Sequence, residues 1–146
     1  SPEPAEKALR EALDLVCATS LEPVAAGWED LFTPLRVREC LVHALLDQGN
    51  LGEARAVALT DLDRTYATKA PPFVMSALLA CARVAAASSD RERAMTTACL
   101  IAGEPHAFAA DRLQARALLE TLGTDPDAPP ETDWEQAAAE WLAAID

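Results

Sequence analysis

Apolar side chains recur every three to four positions along almost the whole chain, and prolines and glycines interrupt them at near-regular intervals. A period near 3.6 predicts amphipathic helices, and the interruptions delimit seven. The first spans Pro4 to Ala18, with Ala5, Ala8, Leu9, Ala12 and Val16 on its stripe. Ser20 to Gly27 reads as a connector and Trp28 to Phe32 as a short turn. Thr33 as N-cap and Pro34 at the first helical position open the second helix, which carries Leu35, Val37, Leu41, Ala44 and Leu45 as far as Gly49. Asn50 caps the third, with Glu53 completing a capping box; Leu51, Ala54, Val57, Ala58 and Leu62 form its stripe, and Thr68 to Pro71 breaks it. The fourth begins at Pro72 and has almost no polar face, which predicts burial on most sides at the centre of the fold; its one strong charge is Arg83. Ser89 and Glu92 form the box that opens the fifth helix, which stops at Gly103. Pro105 starts the sixth, with His106 exposed in its first turn, and Gly123 ends it. The proline-rich, acidic stretch Thr124 to Glu131 is a loop. Thr132 and Glu135 cap the last helix, where Trp134 and Trp141 share one side. That pair either docks the helix or leaves a sticky face for a partner.

The proline-led helices start at Pro34, Pro72 and Pro105, intervals of 38 and 33 residues, and each is followed by a second, capped helix. Periods of this size predict stacked helix pairs that bury their apolar faces against neighbours. The turn Gly49-Asn50-Leu51-Gly52-Glu53-Ala54-Arg55-Ala56, with a weaker version at Ser89-Asp90-Arg91-Glu92-Arg93-Ala94, resembles the tetratricopeptide repeat family. There, Glu-Ala opens the second helix and the small residue lets two helices approach. The resemblance covers about residues 34–122. The family's first-helix Trp, Leu-Gly and Tyr are missing, and Val42 stands where its Gly would be. The expected architecture is all-α: antiparallel pairs over 34–67, 72–103 and 105–145, in a tetratricopeptide-like right-handed superhelix with 4–18 as a capping helix. Residues 1–146 read as one domain, and the opening Ser1-Pro2-Glu3-Pro4 suggests one excised from a longer protein.

Composition narrows the classes of function. The chain holds 32 alanines but only 5 glycines, which disfavours sheet. Net charge is −12, and Glu120 to Asp146 contains eight acids and no Lys or Arg. Phosphate backbones and anionic membranes repel such a surface, so no nucleic acid and no membrane is expected as partner. No apolar run reaches the roughly 18 residues of a membrane span. Cys17, Cys40, Cys81 and Cys99 lie in apolar stretches without metal-ligand spacing, which reads as reduced core thiols in a cytoplasmic protein; two disulfides in an exported domain are the alternative.

No motif nominates a catalytic, cofactor or metal site. His43 and Asp47 are four apart, half of a metal site at most, and Asp61 and Asp63 flank Leu62 as a solvated face would. In the family resembled, the first helices of the pairs line a groove. Carried onto this chain, that implies Arg36, Glu39, His43 and Asp47, then Ser76, Leu79 and Arg83, with Arg112 and Arg116 from the third pair. Three arginines, Arg83, Arg112 and Arg116, would then meet an acidic or C-terminal peptide, since guanidinium forks match carboxylates; alternatively Arg112 or Arg116 pairs locally with Glu120. The expected function is a non-enzymatic protein–protein interaction module of a larger bacterial regulatory or scaffold protein. The alternative is a helical sensor that binds a small molecule in a cavity around the fourth helix and its cysteines.

Overall fold

The fold is built around the helix that the pattern marks as apolar on nearly every side. The computed structural model describes residues 4, 6–8, 10, 11 and 28–144, the side chains of 28–36 excepted. Its helices are α1 (Trp28–Asp47), α2 (Leu51–Thr68), α3 (Pro71–Ala87), α4 (Arg91–Gly103), α5 (Ala109–Thr121) and α6 (Trp134–Ala143), and no strand occurs among the described residues. Positions 4, 6–8, 10 and 11 are also helical, and Glu6 and Arg10 tie them to Gln48 and Glu53. The rest of the expected 4–18 helix, Cys17 included, lies outside the described residues.

α3 packs on all five other helices. Its residues 73–82 are buried without a break, and Val74, Met75, Leu78 and Ala82 are fully enclosed. Neighbours in sequence pack on each other from α1 to α5. α1 also reaches α3, and α3 reaches α5, whereas α2 does not touch α4. α6 lies on α2, α3 and α4 and does not pack on α5.

Several boundaries differ from the sequence reading, each for a local reason. α1 starts at Trp28, so Thr33 and Pro34 lie inside it. The ring at 34 costs one backbone bond, and the sequence places two acids, Glu29 and Asp30, in the first turn, where the helix dipole favours them. Asn50 does cap α2, accepting from the Glu53 amide at 3.5 Å, but the box is not closed. The Asn50 amide is taken by Leu45 O at 2.9 Å, and the Glu53 carboxylate by Arg10. Asp90, not Ser89, caps α4 by accepting from the Arg93 amide at 3.3 Å; Asp133, not Thr132, caps α6 through Gln136 at 2.7 Å. Pro105 and His106 form a turn, and α5 begins only at Ala109.

One turn geometry recurs among these boundaries. α1, α3 and α5 all end in the same left-handed C-terminal motif, centred on Gly49 (φ 77°), Ser89 (φ 64°) and Gly123 (φ 75°). In each, the following amide reaches back five residues: Asn50 to Leu45, Asp90 to Ala85 and Thr124 to Leu119, all at 2.9 Å. After the first two, the same residue is the N-cap of the next helix. That places fully buried Ala54 and Ala94 at identical positions in α2 and α4. After the third no helix follows. Pro129 and Pro130 would stand in its second turn, where proline removes a bond and clashes with the carbonyl four residues back. The pair expected over 105–145 is therefore not a hairpin; α6 starts late and docks elsewhere.

Candidate interaction face

One face collects side chains from α1, α3 and α5. Glu39, Val42 and His43 on α1 meet Ser76, Leu79, Ala80 and Arg83 on α3, with Gln114 of α5 at the edge, around a dent of about 10 Å³. Spacings of three, four and seven on helices that touch side by side put these residues in one row. Among the expected groove residues, Glu39, His43, Ser76, Leu79 and Arg83 are thus brought together.

Arg83 is the organising charge. Its Nη1 lies 2.6 Å from His43 Nε2, and its Nη2 donates to Gln114 Oε1 at 2.5 Å. A guanidinium only donates, so His43 Nε2 must accept and the ring carries its proton on Nδ1. Burial, and then the neighbouring Arg83 cation, hold His43 below the usual imidazole range, opposed by Asp47. Burial also lowers Arg83 from its ordinary value, while Glu39 and Asp111 pull it back up. Asp111 is 1% exposed beneath this row. Two features offset the cost of burying its carboxylate: the Ser76 hydroxyl donates to it, and it stands in the first turn of α5, where the helix dipole favours an anion.

The remaining expected residues are elsewhere. Asp47 is exposed one turn beyond His43, and the Arg36 side chain lies outside the described residues. Arg112 Nη1 donates to the carbonyls of Pro105 (3.1 Å) and Ala107 (2.6 Å), closing the turn before α5. Arg116 pairs with Asp127 at 2.9 Å, on the loop after α5. The three-arginine channel is not formed, and neither arginine pairs with Glu120 as the local alternative had it. The backbone carbonyls of a five-residue turn and a loop carboxylate were nearer than the groove.

Sequence reasoning missed two buried carboxylates. Asp61, expected on a solvated face, is 1% exposed and pairs with buried Arg38 at 3.1 Å; only Asp63 faces solvent. Burial pushes the Asp61 carboxyl up to about 7, against the pull of Arg38. Asp61 lies three residues after Ala58 and four before Thr65, on the buried stripe itself, and Asp111 stands likewise between Phe108 and Ala115. An acid in register with an apolar stripe was the available signal.

A second depression of about 310 Å³ runs along the seam of α4 and α6, lined in part by Asp90, Glu92, Thr96, Thr132, Ala137 and Trp141. Neither depression is lined by a cysteine. Cys81 is buried with its Sγ 3.8 Å from Ala58 O, and burial pushes its thiol up; Cys99 is half-buried and Cys40 exposed, so only one of these three is a core thiol. All three are free. Trp141 is buried with its indole N–H donating to Thr97 Oγ1 at 3.1 Å, and Trp134 is half-buried, so the aromatic pair docks α6 rather than forming an exposed face. Among the described residues no group of three or more His, Cys, Asp or Glu is placed to hold a metal, and no helix is long and apolar enough to cross a membrane. The chain matches no protein-family model, no curated protein and no solved structure.

Proposed function

We propose that this protein is a non-enzymatic interaction module of stacked, tetratricopeptide-like helix pairs, whose α1–α3–α5 face receives an acidic peptide segment of a partner protein. One observation carries the reading. Arg83 projects from the central helix into a row shared by three helices, and its hydrogen bonds there go to the neutral side chains of His43 and Gln114. Glu39 and Asp111 offset part of its charge, and the partly desolvated guanidinium keeps the remaining attraction for a partner's carboxylate. The recurring turn at Gly49, Ser89 and Gly123, and the matched alanines at 54 and 94, support the repeat reading. The test pans a library of acidic peptides on the whole chain and measures the selected peptides against Arg83→Glu. The expected loss is at least about tenfold, because reversing a partly buried charge meets the carboxylate with repulsion; unchanged affinity overturns the assignment.

A second reading, a small-molecule sensor, is favoured by the α4–α6 depression, whose 310 Å³ sits at the lower edge of the roughly 300–1,000 Å³ of ligand pockets. A thermal-shift screen in which a small organic molecule raises the melting temperature, and Trp141→Ala abolishes the effect, would favour it over the peptide module.

A further inference from the structure

We propose that the α2–α3–α4 face is a helix-docking groove, that α6 is its resident occupant, and that it accepts in trans a partner's amphipathic helix carrying Trp with Lys four residues before it. This inference is independent of the α1–α3–α5 face.

The groove exists because α2 and α4 do not touch, although both pack on α3. α6 lies between them, and the recognition is that of a bound peptide. Its anchor is Trp141, whose ring is buried, donates to Thr97 Oγ1 and is covered by the Arg93 guanidinium at 4.0 Å. Ala138, fully buried, brings the backbone close. The groove walls bind main chain: Arg93 donates to Glu140 O at 3.4 Å, and Arg55 to Ala144 O at 3.1 Å. Any helix ending at that place presents those carbonyls, and cations at a helix C-terminus are favourable. α6 has no packing on α5, its neighbour in sequence, and joins it through 122–133 with Pro126, Pro129 and Pro130. Every contact it makes can therefore be made by a helix of another chain.

The fit is incomplete, and the unfilled part states the chemistry of a better occupant. The 310 Å³ depression lies beside Ala137, and the groove side of it contributes Asp90, Glu92, Arg93, Thr96 and Thr97, with the Arg93 guanidinium engaged by the Trp141 ring and Glu140 O. A lysine in place of Ala137 would lay its methylenes along the seam and bring its ammonium to those carboxylates. The chain's net charge of −12 draws a basic segment toward it. The competitor is α6 itself, whose tether holds it at an effective concentration on the order of millimolar, so a partner helix needs this extra contact.

The probe is a fluorescein-labelled peptide with the sequence of 133–144, made with Lys or with Glu in place of Ala137. Anisotropy titrations use the full chain and its Trp141→Ala variant, whose own α6 has lost its anchor. The Lys peptide is expected to bind the variant about tenfold tighter than the wild-type chain, and about tenfold tighter than the Glu peptide binds. In the wild-type chain, saturating Lys peptide is expected to speed amide exchange in α6 while α3 stays protected, a readout that does not depend on the variant's folding. The proposal is overturned if the Lys and Glu peptides bind alike, if neither binds, or if the Lys peptide binds while α6 exchange is unchanged.

Discussion

Charged side chains placed in the apolar interior give this protein its most testable residue-level behaviour. Asp61, held at about 7 against an ordinary value near 3.9, keeps a proton in the folded chain that the unfolded chain has lost. Stability from this group is therefore complete below about pH 4 and is lost as pH rises through about 7. Asp61→Asn carries no such proton, so its stability deficit relative to wild type is expected to shrink between pH 4.5 and 7.5, as read by urea melts at the two pH values. His43 has the opposite sign. Its value is lowered, so the folded chain binds its proton less readily than the unfolded one, and the group's contribution falls as pH drops below about 6.5. An NMR titration of the imidazole is expected to give a midpoint below about 6.5, and Arg83→Met to move it upward by removing the adjacent cation. A midpoint unaffected by that substitution would mean burial alone sets it.

At the level of single elements, caps decide where helices begin and end. The pairs Ser89-Asp90 and Thr132-Asp133 each offer two cap residues, and the carboxylate is used in both. In the first pair the reason is geometric: Ser89 is held left-handed by the turn that closes α3, leaving Asp90 to reach the Arg93 amide. Ser89→Gly is expected to stabilise by about 1 kcal/mol, since a left-handed conformation strains an L-residue and not glycine. Asp90→Ala is expected to cost about 1 kcal/mol through the lost cap. Thermal unfolding distinguishes these signs. The existence of α2, α3, α4 and α6 was legible from apolar period and punctuation. The early start of α1 and the late start of α5 were not, because proline marks a helix start only when nothing upstream can already be helical and nothing downstream is held in a turn. Arg112, which grips that turn, shows the second case.

Across the whole molecule, burial is concentrated on α3, and the cost of substitution follows it. Leu78→Ala is expected to destabilise by about 2–5 kcal/mol, as for other enclosed leucines, while Leu113→Ala stays within about 0.5 kcal/mol because Leu113 is 68% exposed. Denaturant unfolding of both variants gives the contrast. The molecule's asymmetry comes from its last third. Two turns lead straight into a second helix; the third has the same closing geometry and then meets Pro129 and Pro130. The chain runs on until Asp133 can cap α6, which then packs on α2, α3 and α4.

The amino-acid order alone determined the helical class and the central burial of α3, because period and spacing act locally and survive any packing of the helices; the row of Glu39, His43, Ser76, Leu79 and Arg83 was implied by the family resemblance and exists only through the packing of α1 on α3. Tertiary structure decided what each long polar side chain touches. Arg112 and Arg116 share a helix face with the expected groove register, yet one closes a turn and the other pairs with Asp127. Asp61 and Asp111 are enclosed because Arg38 and Ser76 reach them from other helices. A flexible charged side chain goes to the partner that best replaces its water, and the chain must be folded before that partner is within reach.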